Sequence, residues 1–225
     1  MKIIFVLLLG IFIPYITKAQ LRLGITGGVD YNVYSINTHY MDNWHYEGAI
    51  GFTAGIMGQY DFKDWIGLRT ELNWAQKNYR QYGTGDYLKY TNLKTYNNYV
   101  QLPVMASVSA GNKLCRGFAN IGGYGAWWLS KKQIGDIASS PYDGGKMPIE
   151  HLNRYTSFSD ERDNRCDFGL VGGLGAEWQF LQKWGCQIEG RCYYSMTSTQ
   201  KDYMRIKDPK YNTTYSIQLT VWKRF

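Results

Sequence analysis

The chain has 225 residues, 25 Lys and Arg against 18 Asp and Glu for a formal net charge of +7, and 44% hydrophobic residues. That length suits one domain, no Pro-rich or Ser-rich linker divides it, and so modest a positive excess excludes the concentrated basic footprint of a nucleic-acid-binding protein. The 25 Gly, 20 Tyr, 9 Phe and 8 Trp say more, because aromatic rings gather at membrane interfaces and Gly lets strands curve and close.

At the amino terminus Lys2 precedes an apolar run from Ile3 to Ile13, and Thr17-Lys18-Ala19 sets small residues before Gln20. This is the organisation of a secretory signal peptide, so residues 1–19 are expected to be removed between Ala19 and Gln20, leaving 20–225 as one domain. Losing Lys2 and Lys18 takes the charge from +7 to +5. Pro14 interrupts the apolar run, which is shorter than the roughly 20 residues of a membrane-spanning helix. The residue after the cleavage point is Gln20 and not Cys, so a lipid-anchored product is not expected.

Period-two alternation marks eight strand segments, at 21–34, 49–62, 65–76, 98–110, 114–129, 165–181, 184–197 and 213–225. The connections alternate in length: long at 35–48, two residues at Lys63 and Asp64, long at 77–97, short at 111–113, longest at 130–164, short at Gln182 and Lys183, long at 198–212. Tight periplasmic turns paired with long extracellular loops, on an even number of strands, predict an all-β, eight-stranded antiparallel up-and-down transmembrane barrel. The segment 130–164 is long enough to hold a hairpin that would carry the strands above the membrane.

The faces separate along each segment. In 65–76, Ile66, Leu68, Thr70, Leu72 and Trp74 oppose Gly67, Arg69, Glu71 and Asn73. A slip of one residue would put Arg69 or Arg191 into lipid at roughly 2–4 kcal/mol each, so the polar faces must line the lumen. That register turns Arg22, Arg69, Glu71, Gln101, Glu177, Glu189, Arg191 and Arg224 inward, a mixed-sign network that is expected to plug so narrow a barrel. Lysines avoid the strand interiors, unlike those of a soluble barrel that must solvate its outer face. Rings are expected in two girdles, with Tyr60, Phe62, Trp65, Phe180, Trp184, Trp222 and Phe225 near the short turns and Tyr31, Tyr34, Trp74, Trp127, Trp128, Tyr194 and Tyr215 near the long loops.

Chemistry is harder to find. Cys115, Cys166, Cys186 and Cys192 are spaced so that Cys166 and Cys192 fall some 20 Å apart along neighbouring strands, which points to free thiols. His39, His45 and His151 all fall in predicted long loops, so Ser35 or Ser159 with His39 and Asp42 makes a poor catalytic set, and His39 and His45, six loop residues apart, fix no metal geometry. Gly172-Gly173-Leu174-Gly175 lies inside a strand with no helix after it, and Gly144-Gly145-Lys146 lacks the Ser or Thr of a phosphate loop. No catalytic residue, metal or cofactor is expected.

The stretch Asn98-Tyr99-Val100-Gln101-Leu102-Pro103-Val104, the run Gly122-Gly123-Tyr124-Gly125, the Ala19-Gln20 junction and the terminal Phe225 resemble PorT-like outer-membrane β-barrel proteins. The resemblance covers nearly the whole mature chain and implies an eight-stranded barrel of the OmpA or OmpX size class and, in a few members, a part in protein secretion. Function is expected in the loops, whose basic cluster comprises Lys77, Arg80, Lys89, Lys94, Lys201, Arg205, Lys207 and Lys210. These charges suit membrane lipid and lipopolysaccharide phosphates, and the tyrosines around them suit a protein or glycan partner. A monomer with a structural or interaction role is therefore expected, ahead of a secretion component and, last, a lipid-modifying enzyme.

Overall fold

The computed structural model describes residues 20–36, 43–84, 89–112, 114–138, 149–201 and 209–225. The expected signal peptide, Ala19 included, lies outside the described residues, while Gln20 opens the first strand. Ten strands are described: β1 (Gln20–Ile36), β2 (Trp44–Lys63), β3 (Ile66–Gln76), β4 (Tyr79–Gly83), β5 (Asn92–Gly111), β6 (Cys115–Ala138), β7 (Ile149–Thr156), β8 (Cys166–Gln179), β9 (Trp184–Ser195) and β10 (Lys210–Arg224). Eight close a ring in the order β1-β2-β3-β5-β6-β8-β9-β10, every pair antiparallel, with β10 returning to β1. The fold is thus an all-β, eight-stranded up-and-down barrel, the closed form that leaves no unsatisfied sheet edge in a bilayer.

Alternation sets the two faces. On β10, Tyr215, Ile217, Leu219 and Val221 are exposed on the outside while Ser216, Gln218 and Thr220 are buried within. On β3, Leu68, Leu72 and Trp74 face out, and Arg69, Glu71 and Asn73 are buried. Burial of polar side chains with exposure of Leu, Ile and Phe inverts a soluble core, and it stabilises the protein only where lipid covers the outer wall. The four cysteines carry no disulfide.

The largest departure from the sequence reading lies above the membrane. Segment 77–97, read as a long connection, contains β4 and the start of β5, and 130–164, read as long enough for a hairpin above the membrane, contains the end of β6 and β7. Trp44 to Gly48 of β2 pairs with β4, β4 pairs with Asn92 to Thr95 of β5, that part of β5 pairs with Gln133 to Asp136 of β6, and β7 pairs with the end of β6. The result is a five-stranded extracellular sheet, β2-β4-β5-β6-β7, standing on one side of the barrel. Its strands are short and polar, so their own alternation is weak, and it is the ladder continued from the long neighbours β5 and β6 that orders them.

Three rings assigned to the girdles point inward instead. The register of β5 and β6 shifts between Asn98 and Tyr99, because Leu129 is an extra residue on β6. That bulge comes after Trp128, and the alternation of β6 is unbroken up to it. Trp128 shares the parity of Asn120, Tyr124 and Ala126 and faces inward at 5% exposure, stacked on Tyr99 at 5.7 Å and edge-on to Phe158 at 4.9 Å, while its neighbour Trp127 faces outward. Trp222 shares the parity of Gln218 and Thr220 and is fully buried between Arg22 and Arg224. Tyr34 stacks on Tyr79 at 4.2 Å beneath the extracellular sheet. In each case strand parity overrides the tendency of rings to seek the interface. Phe62, Trp65, Phe180, Trp184 and Phe225 at one end, and Tyr31, Trp74, Trp127, Tyr194 and Tyr215 at the other, are exposed on the outside.

Candidate functional site: a charged lumen beneath an extracellular sheet

Three tiers of charge fill the lumen. In the tier nearest the short turns Arg22 donates to both oxygens of Asp61 (2.6 and 2.8 Å) and to Glu177 (2.7 Å), and Gln59 and Gln187 add hydrogen bonds to the same two carboxylates. In the middle tier Arg191 grips Glu71 through two nitrogens (2.8 and 3.0 Å) and also reaches Glu189 and the Tyr193 hydroxyl. Arg69 binds Glu71 at 2.7 Å and donates to Gln187, while Asn73 and Asn120 donate to Glu71 and Glu189. Planar guanidinium forks match carboxylates in this bidentate way, which is why Arg rather than Lys fills these tiers.

The third tier corrects the sequence reading of Lys77. Expected in the exposed basic cluster, Lys77 is 1% exposed, binds Asp167 at 2.7 Å and lies over the rings of Tyr99 (5.1 Å) and Tyr124 (4.7 Å). Asp167 accepts further hydrogen bonds from Ser195 at 2.6 Å and Tyr124 at 3.3 Å. Lys77 follows the last residue of β3, and its inward turn shields the ammonium with rings that favour a cation. Asp30, Asp61 and Asp167 are lumen residues that the sequence reading did not single out. Strand parity could have found them, because Asp30 shares its face of β1 with Arg22, Asp61 its face of β2 with Gln59, and Asp167 its face of β8 with Glu177.

Of the other inward residues, Gln101 is buried, whereas Arg224 is only half-buried. Arg224 lies at the short-turn mouth, where it lines a polar cavity of 440 Å³ with Asp61, Asp64 and Arg116. Arg224 sits at the end of its strand, past the packed tiers, and water reaches it.

The basic cluster divides. Arg80, Lys89 and Lys94 are exposed on or beside the outer face of the extracellular sheet, where Arg80 on β4 is directly opposite Lys94 on β5. Arg80 bonds Asn92 at 2.8 Å, and Lys89 and Lys94 lie over Tyr90 and Tyr96. Lys201 donates to the Asp160 carbonyl at 2.7 Å, and Lys210 begins β10 opposite Ile36. Arg205 and Lys207 lie outside the described residues. Beneath the sheet, burial lowers the Lys131 ammonium and pushes the Tyr79 phenol up to about 12.

Two histidines expected in loops are on strands. His45 of β2 stacks on Tyr82 at 5.3 Å and meets the Thr84 hydroxyl at 3.2 Å, and His151 of β7 pairs with Asp136 of β6. His39 and Asp42 lie outside the described residues, and Ser159 instead takes part in a turn with Asp163. Among the described residues no group of three His, Cys, Asp or Glu side chains is placed to hold a metal.

Nothing among curated proteins matches this chain. Several solved barrels are similar to it. Ail, the attachment invasion locus protein of Yersinia pestis, is 13% identical over 91% of this chain and 99% of its own, with a TM-score of 0.42. OprG from Pseudomonas aeruginosa is 10% identical over 92% and 95%, with a TM-score of 0.49. Neisserial surface protein A is 11% identical over 88% and 96%, with a TM-score of 0.43. Residues 17–201 match the family described as the outer membrane protein beta-barrel domain, and a match over that much of the sequence, on a ring of eight antiparallel strands with its apolar side outward, shows that the chain belongs to that family and resides in the outer membrane.

Proposed function

We propose that this protein is a closed, non-catalytic barrel whose work is done by its extracellular sheet, in a structural or interaction role at the cell surface. The observation that carries the reading is the five-stranded extension: two short strands, β4 and β7, join only the extracellular ends of three long ones. The outer face of that extension carries Arg80, Lys94 and Lys132 with Tyr82, Tyr96 and Tyr155, the residue types that neutralise lipopolysaccharide phosphates and anchor interfaces. The three ion-paired tiers support a plugged lumen, since eight strands leave room for side chains and little else. In planar bilayers the purified protein should give no stable conductance step; a reproducible ion-selective step would overturn the plugged lumen. Deleting 135–160 should leave the heat-modifiable mobility of a folded barrel while reducing adhesion or fitness of the cells that carry it. Folding with no change in either would remove the extracellular sheet as the working part.

A secretion role rests on the PorT-like resemblance of residues 98–104. These residues lie on β5, running from Asn98 opposite Gln76 to Val104 opposite Thr70 in the barrel wall.

A further inference from the structure

The extracellular sheet ends in a free edge. Among the described residues β7 is the terminal strand and pairs only with β6, so half of its backbone N–H and C=O groups point away from the sheet. Natural sheets often blunt such edges with bulges or Pro, yet Ile149–Thr156 is a regular eight-residue strand without Pro.

Its charges are unmatched on the paired side. β6 sets Ile137 opposite Glu150 and Gln133 opposite Arg154, and among the described residues neither charge makes an ion pair. They are matched by the strand itself read backwards. If a second β7 is laid antiparallel with Leu152 opposite Leu152, then Glu150 of each copy faces Arg154 of the other, twice over. Ile149 then faces Tyr155, and His151 faces Asn153. Ile149 and Tyr155, 44% and 69% exposed, would be covered by each other, and Glu150, Leu152 and Arg154 share the opposite face. Opposite charges and aromatic with β-branched pairs are the cross-strand combinations that stabilise antiparallel sheet.

We propose that the free edge of β7 pairs antiparallel with β7 of a second copy of this chain, held by the two reciprocal Glu150 to Arg154 contacts. The inference rests on the reading of the extracellular sheet as the working part and names its partner. Symmetry adds orientation. Two identical antiparallel strands in one sheet are related by a two-fold axis normal to that sheet. Because the sheet continues strands that rise out of the membrane, this axis lies close to the membrane plane, and the second barrel is inverted. The pairing therefore joins barrels in two facing membranes. Gly135, opposite Leu152, is eight residues beyond Trp127 on β6, so the contact stands roughly 20 Å above the outer girdle for a tilted strand, and the two girdles would lie roughly 40 Å apart.

The test uses the full-length protein in phospholipid vesicles free of lipopolysaccharide, with clustering read by light scattering and by energy transfer between two labelled vesicle populations. Wild-type vesicles should cluster. Glu150→Arg alone and Arg154→Glu alone should each cut clustering roughly tenfold, because each sets like charges face to face. Vesicles carrying Glu150→Arg mixed with vesicles carrying Arg154→Glu should cluster again, as should the double variant with itself. All four proteins must show the heat-modifiable mobility of a folded barrel, which substitutions on an exposed edge allow. Wild-type vesicles that stay dispersed, a Glu150→Arg variant that clusters like wild type, a mixture that fails to recover, or pairing confined to one vesicle would each overturn the proposal. Such a failure leaves the extracellular sheet as the working part, which only a harmless 135–160 deletion removes.

Discussion

Arg191→Met should lower the unfolding free energy of the barrel by about 3–5 kcal/mol, because it strips a buried carboxylate pair of its shared cation. Arg191 makes two contacts to Glu71 and two to Glu189, and all three side chains are essentially inaccessible. Methionine replaces the aliphatic part of the side chain, so the lost guanidinium charge and hydrogen bonds account for most of the effect. Arg69 stays 2.7 Å from Glu71 and 3.7 Å from Glu189, which favours the lower end of the range. Urea titration in lipid vesicles, followed by Trp fluorescence, measures the difference. A loss below about 1 kcal/mol would mean that water screens the lumen, and the plugged interior on which the functional reading depends would fall with it.

Leu72→Arg should cost about 2–4 kcal/mol in the same titration, for the opposite reason. Leu72 lies near the middle of β3, 48% exposed on the outer face, one residue from the fully buried Glu71. On a soluble barrel an arginine there would be nearly neutral, since surface substitutions usually stay within about 0.5 kcal/mol. The size of the loss thus reads directly whether lipid or water covers that wall. Arg80, on the same outer surface but above the membrane, provides the contrast: Arg80→Leu should change stability little.

The two variants separate what was legible in the residues from what was not. Alternation over long strands is a local property with a period of two, so Leu72 outside and Arg69, Glu71 and Arg191 inside could be read without coordinates, as could the eight segments and their short turns. Which carboxylate meets which guanidinium could not. Arg22 and Glu177 are 155 residues apart and Arg191 and Glu71 are 120 apart, and only the closure of β1 on β10 and the stagger of the ring bring them level. Lys77 shows the limit most clearly. A lysine after a strand end reads as a loop cation, and its burial depends on Asp167, Tyr99 and Tyr124 arriving from three other strands.

The extracellular sheet marks the same boundary. By itself the sequence determined an eight-stranded barrel with an apolar outside, because strand period and turn length are written in neighbouring residues. Only the tertiary structure decided that part of 77–97 would fold back as β4, that β7 would pair with the end of β6, and that, among the described residues, a strand carrying Glu150 and Arg154 would be left with an open edge. Those outcomes depend on backbone hydrogen bonds to strands distant in sequence, and a short polar segment carries no local pattern strong enough to announce them.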